Sequence, residues 1–262
     1  MDDSGSMRKT DPLNLRLSAL ALLIRLLRDD DAVGIVKFDE GAQVVVPLDP
    51  IGAEKDRRAL YKADTAFSAR GAYTNIYTGL KTALQEMQQR ARDNTEKAVV
   101  LISDGLMDVN PASGVSNEDV LRALHSALLP EYKEARVKII TLALSPAADR
   151  SLLLAIAAVT DGRYFYTPKA EDLSQAIFGI FDELKAPEMV PLKGQRAILD
   201  ASVKEATFFI ATDVSKGGVA LVRPDGARLE RSRQDPTAKW FVGKDYVLCT
   251  IQRPMVGEWR VE

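Results

Sequence analysis

Residues 97–103 (KAVVLIS) form a nearly unbroken apolar run that stops abruptly at Asp104-Gly105, and residues 137–144 (VKIITLAL) repeat the pattern. A strand that is apolar along its whole length is covered on both faces, as in a parallel sheet between two layers of helices. The flanking residues supply the helices. Leu13, Leu17, Leu20, Leu23, Ile24 and Leu27 recur at helical spacing over residues 11–28, with Asp11 as N-cap and Pro12 at the first helical position. Helical patterns follow at residues 53–63, 75–90, 117–129, 151–159 and 170–184. Residues 32–38 and 43–48 are β-branched runs around Asp39-Glu40-Gly41 and read as a hairpin, and residues 164–166 as a short strand. This alternation predicts an α/β domain, doubly wound around a mostly parallel sheet, over residues 1–186.

After Ala186-Pro187 the helical patterns stop. Short alternating segments take over at 197–203, 206–211, 218–223, 239–241, 246–251 and 258–261, with Pro224-Asp225-Gly226 as a turn. Short strands at this density predict a second, smaller all-β sandwich domain over residues 195–262, joined by a linker at 187–194. Trp240 and Trp259 are its expected core anchors. Cys249, inside Val247-Leu248-Cys249, is expected as a buried, inert thiol.

Charge and composition remove several functions. Lys and Arg total 35 against 37 Asp and Glu, a net charge of -2, so the basic excess that engages phosphates is missing and no nucleic-acid partner is expected. One cysteine excludes an intramolecular disulfide, and a single histidine, His125, argues against a His-rich zinc site or a His-based triad and is expected at the surface. The apolar stretch 17–27 is interrupted by Arg25 and is too short to span a bilayer. The sequence opens on Met1-Asp2-Asp3-Ser4-Gly5-Ser6-Met7 without a signal-peptide pattern, and contains no phosphate-binding loop of the Gly-x-x-x-x-Gly-Lys type.

The chemistry lies in three separated segments. Asp2, Ser4 and Ser6 place one acid and two hydroxyls at alternate positions, and a turn through Gly5 aims their oxygens at one point. Thr74 stands in Gly71-Ala72-Tyr73-Thr74-Asn75, just ahead of a helix that Asn75 caps, and Asp104 ends a buried strand. Ligands of open α/β sheets sit at the carboxyl ends of the strands, where these loops converge. Hard oxygens with few carboxylates suit Mg²⁺, or Mn²⁺ or Ca²⁺, better than zinc. Neutral hydroxyl ligands leave the ion under-neutralised, so a carboxylate from outside completes its shell. Asp3 reads as a solvated turn residue, Asp108 and Asn110 as an ordinary polar loop, Tyr77 as helix packing and Tyr73 as lining for the binding face.

Asp2-x-Ser4-x-Ser6, Thr74 and Asp104, in this order, resemble the metal-ion-dependent adhesion site of von Willebrand factor type A domains of bacterial type. Residues 2–12, 33–38, 73–80 and 99–105 agree with the family's order, and the resemblance covers roughly residues 2–185. It implies Ser4, Ser6 and usually Thr74 as direct ligands, with Asp2 and Asp104 acting mostly through water. It also implies a partner protein that presents Asp or Glu to the metal, no catalysis, and a place outside the cytoplasm. The tail, ending in Pro254-x-x-Gly257-x-Trp259, resembles the β-rich segment that follows this domain in some exported bacterial proteins, which implies an immunoglobulin-like accessory domain.

One feature departs from the family, which places a central apolar strand immediately before the first aspartate, where only Met1 stands here. The expectation is a sheet without its middle strand and a reading that starts late, with a targeting signal also lying upstream. Two other functions compete. One is a scaffold or regulatory subunit of an assembly machine working with a separate ATPase. The other, less favoured, is a phosphotransfer enzyme, which needs a second carboxylate where Ser4 stands.

Overall fold

Strand β4 (Val137–Ala143) is buried at every position except Lys138, which requires cover on both of its faces. It pairs in parallel with β3 (Lys97–Ile102), from Lys97 opposite Val137 to Ile102 opposite Leu142, and in parallel with β5 (Tyr164–Tyr166). The computed structural model describes residues 1–52, 62–169, 172–185, 192–212, 218–232, 235–243 and 246–262. The chain divides into two compact units, Met1–Ala186 and Pro187–Glu262.

In the first unit, β1 (Ala32–Phe38) and β2 (Ala42–Pro50) form the expected antiparallel hairpin. Residues 1–3 lie between this hairpin and the parallel sheet. The Met1 amino group donates to the Val36 carbonyl at 2.8 Å, Asp3 N donates to Phe38 O at 2.8 Å, and Asp2 N donates to Ile102 O at 3.0 Å. Among the described residues, no other backbone pairing joins β1 to β3. Below that seam lies a cavity of about 800 Å³ whose walls include Leu23, Ile24, Val33, Ile35, Val99 and Leu101. Burial holds the Met1 amino group well down, at about 5.

Side chains alternate across a strand, and β1 shows the result: Ile35 belongs to a cluster with Ile24, Ile51 and Phe67, while Phe38 belongs to a second cluster with Ile76, Leu80, Leu101 and Tyr132. Helix α1 (Met7–Thr10) is a single turn, and α2 (Leu15–Leu26) follows it. The helix expected from Pro12 therefore starts three residues later, because Asn14 takes the left-handed conformation at φ 54°. Asp11 still satisfies the helix start: Oδ1 accepts from Leu15 N at 2.6 Å, and Oδ2 accepts from Arg16 N and from the buried Arg16 guanidinium. Helix α3 (Ile76–Arg90) is capped by the Asn75 side chain, which accepts from Thr78 N. It packs tightly on β1 at Gly79, where a Cβ would stand 2.6 Å from the Phe38 ring.

Helix α4 (Asn117–Ala123) opens with a Ser116–Asp119 capping box and runs through a π turn at Leu124–Leu128 into α5 (Leu129–Glu134), five residues past the expected end. Tyr132 closes that layer by donating its hydroxyl to Leu80 O at 2.7 Å. Helix α6 (Arg150–Val159) packs on β4 and β5, and α7 (Leu173–Lys185) packs on β5 and α2. Each Leu or Ile buried in these layers contributes about 1.5–3 kcal/mol. The helix expected at residues 53–63 falls largely outside the described residues.

Among its described residues the second unit holds seven strands: β6 (Arg196–Leu199), β7 (Glu205–Ala211), β8 (Ala220–Val222), β9 (Arg228–Glu230), β10 (Ala238–Val242), β11 (Tyr246–Gln252) and β12 (Gly257–Val261). They form two antiparallel sheets, ordered β10-β11-β7 and β6-β12-β8-β9. One apolar cluster draws on both: Phe208, Cys249 and Ile251 from the first, Leu199, Leu221 and Trp259 from the second. Strand β9 escaped the sequence pattern because Arg-Leu-Glu offers a single apolar residue. No helix among the described residues is long and apolar enough to cross a membrane.

Candidate metal centre

Asp2 sits at the seam between hairpin and parallel sheet, fully buried, and its carboxylate is surrounded by donors. Oδ1 accepts from Ser4 N at 2.9 Å and from the Ser4 hydroxyl at 2.6 Å; Oδ2 accepts from the Ser103 hydroxyl at 2.6 Å. Ser4 Oγ lies 3.0 Å from Ser6 Oγ, so the alternate spacing brings all three oxygens to one place. A serine hydroxyl that directs its proton at a carboxylate keeps its lone pairs for another partner.

Asp104 stands two residues past β3, at a turn that Gly105 continues in the left-handed conformation: its φ is +72°, and a Cβ there would stand 3.0 Å from Asp149 O. The Asp104 carboxylate is buried, accepting from Leu106 N at 3.1 Å and from the Thr10 hydroxyl at 3.0 Å. The Thr74 segment is sewn to both neighbours by backbone bonds. Gly5 N donates to Gly71 O at 2.7 Å, while Thr74 N donates to Asp108 O at 2.6 Å and Asp108 N returns a bond to Thr74 O. Thr74 is buried, and no hydrogen bond links its hydroxyl to Asp2, Ser4, Ser6 or Asp104 among the described residues.

Burial raises the Asp2 carboxyl above the ordinary carboxylate range. The Ser103 and Ser4 hydrogen bonds pull it back, and the neighbouring Asp104 charge pushes it further up. Among the described residues, neither Asp2 nor Asp104 has a cationic side chain within ion-pair distance, and no group of three or more His, Cys, Asp or Glu gathers anywhere. The donor set is two carboxylates with three hydroxyls, which fits a hard cation in chemical type.

Three residues of this region escaped the sequence reading. Ser103 closes the apolar run 97–103 in the sequence, yet in the structure it anchors Asp2 across the seam. Thr10 reaches Asp104 from the single turn of α1, a relation no local spacing announces. Asp3 corrects the expectation of a solvated turn: it is 3% exposed, and its Oδ1 accepts from Ser68 N at 2.7 Å and Ala69 N at 2.6 Å. Asp108 contributes its backbone rather than its exposed side chain. His125 is exposed, as expected.

Residues 1–106 match the family model described as von Willebrand factor type A domain. An uncharacterised protein of Synechocystis sp. is 26% identical over 184 residues, which cover 70% of this chain and 40% of that protein's length. Among solved structures, a von Willebrand factor type A protein from Catenulispora acidiphila aligns with a TM-score of 0.56 at 18% identity, over 99% of this chain and 60% of that one. Proximal thread matrix protein 1 from the mussel byssus, solved with a zinc-occupied metal-ion-dependent adhesion motif, aligns with a TM-score of 0.50 at 18% identity, over 70% of this chain and 46% of that one. The first unit thus has a von Willebrand factor type A-like α/β fold.

Proposed function

We propose that the von Willebrand factor type A-like unit is a cation-dependent protein-binding module rather than an enzyme. Asp2, Ser4, Ser6, Thr74 and Asp104 would hold one hard divalent cation, Mg²⁺ first, with Mn²⁺ or Ca²⁺ as alternatives. When bound, the cation supplies a positive charge to which the carboxylate of an Asp or Glu on a partner protein attaches. The observation that carries this reading is the Asp2 carboxylate, fully buried beside the charge of Asp104 and without a cationic side chain among the described residues. Two buried carboxylates without a counter-charge are costly, and a cation removes that cost. The mussel byssus protein carries zinc in its motif, so Zn²⁺ belongs among the ions to be titrated.

The second unit is read as a β-sandwich accessory domain (residues 195–262), because both of its sheets feed one core. The cavity between β1 and β3 is read as the seat of a central strand joined to the amino group of Met1. Action outside the cytoplasm follows from the resemblance.

Titration with Mn²⁺, followed by electron paramagnetic resonance, tests the site. One ion should bind per chain, Asp104→Ala should abolish binding, and added glutarate should displace water from the bound ion, lowering its water-proton relaxation. A chain that takes up no Mn²⁺, Mg²⁺, Ca²⁺ or Zn²⁺ overturns the reading.

A further inference from the structure

Asp3 lies between two residues of the metal centre, yet its carboxylate and its carbonyl both lead to another segment. Its carboxylate gathers the successive amides of Ser68 and Ala69, its carbonyl accepts from Gly71 N at 3.2 Å, and its amide donates to Phe38 O. Ala69 is held at φ +51°, left-handed for a residue with a Cβ, and such a conformation persists only where its surroundings impose it. Two adjacent amides converging on one charged oxygen are such an imposition, since charge-assisted bonds are about twice as strong as neutral ones. Gly71 O is fixed in turn by Gly5 N, and three residues on stands Thr74, whose backbone is paired with Asp108.

We propose that Asp3 is a positioning residue of the metal centre: without touching the ion, it sets the loop 68–74 that carries Thr74 and is bridged to the Ser4–Gly5 turn at Gly71. The proposal rests on the cation reading above and assigns that site a residue outside the five. Asp3 thereby couples the first segment to the second, as Ser103 couples it to the third.

The test is a double-mutant cycle in Mn²⁺ affinity, measured well below each variant's melting temperature. Asp3→Ala should weaken binding about tenfold or more, in the range seen when groups that orient metal ligands are removed. Asp3→Asn, which keeps an acceptor oxygen but no charge, should lie between Asp3→Ala and the unsubstituted chain. In a Thr74→Ala background, Asp3→Ala should cost little further, because the hydroxyl it positions is already gone. A purely structural role would lower the melting temperature and leave Mn²⁺ affinity alone. Unchanged affinity in both Asp3 variants, or full additivity with Thr74→Ala, overturns the proposal while the cation reading stands. Absence of Mn²⁺ binding by the unsubstituted chain overturns both. Should Asp3→Ala fail to fold, Asp3→Asn alone completes the cycle.

Discussion

The Ser103 hydroxyl donates to Oδ2 of Asp2 at 2.6 Å, joining residues 101 positions apart across the seam between the hairpin and the parallel sheet. Ser103 Oγ also accepts from Gly105 N at 2.9 Å, so one hydroxyl holds both the first aspartate and the turn after the second. Ser103→Ala should therefore destabilise the first unit by about 1.5–3 kcal/mol, the cost of losing a buried bond to a charged group. Urea denaturation checks this by circular dichroism at 222 nm, since all described helices lie in that unit. Tryptophan fluorescence reports the second unit separately, because Trp240 and Trp259 both belong to it.

Asp11 and Arg16 form a buried ion pair at 2.9 Å. Asp11→Ala removes both the helix cap and the counter-charge of an interior guanidinium, and should cost about 3–5 kcal/mol. Arg16→Met should cost less, because the Leu15 and Arg16 amides continue to satisfy Asp11. Comparing the two variants by thermal denaturation checks that order.

Burial pushes the Cys249 thiol up to about 12 from 9.0. The unfolded chain releases this proton first as pH rises, so the thiol's contribution is intact below pH 9 and is lost progressively between 9 and 12. Its slope is at most about 1.4 kcal/mol per pH unit. Stability of the second unit, followed by tryptophan fluorescence, should fall over that window, and Cys249→Ala should flatten the fall. Iodoacetamide should label Cys249 only when the unit unfolds.

The cavity beside Met1 makes a prediction of its own. Asp2 pairs with Phe38 in parallel, so the partner of Ala32 would stand six positions before Asp2, five before Met1. Five apolar residues joined to the Met1 amino group should run along both open strand edges and replace a buried amine by an amide. The melting temperature of the first unit should rise, at about 2–4 °C for each kcal/mol gained. A Gly-Ser extension of equal length should leave it unchanged. Equal effects from the two would show that no strand enters.

How much of this could be read in the sequence depended on whether the signal was local. Strand β4 was legible because Val137, Ile139, Ile140, Leu142 and Ala143 are apolar on both faces of one short segment, and Asn75 because a cap acts on its own helix. The start of α2 was not, since the left-handed Asn14 belongs to a turn that Asp11 stabilises from outside the helix. Asp2, Ser4 and Ser6 were legible as a constellation, their geometry being set by two-residue spacing. Asp3 was misjudged because its partners, Ser68 and Ala69, are 65 and 66 positions away. Burial of an acid is decided by such distant donors.

The short pairing of residues 1–3 has a mechanical consequence. Among the described residues, the backbone link between the hairpin and the parallel sheet runs through residues 1–3, and it includes the residue that carries the buried carboxylate. A pull that parts the two sheets therefore loads the bonds of Asp2 to Ile102 and Ser103. An ion clasped at that point would act as a rivet between them.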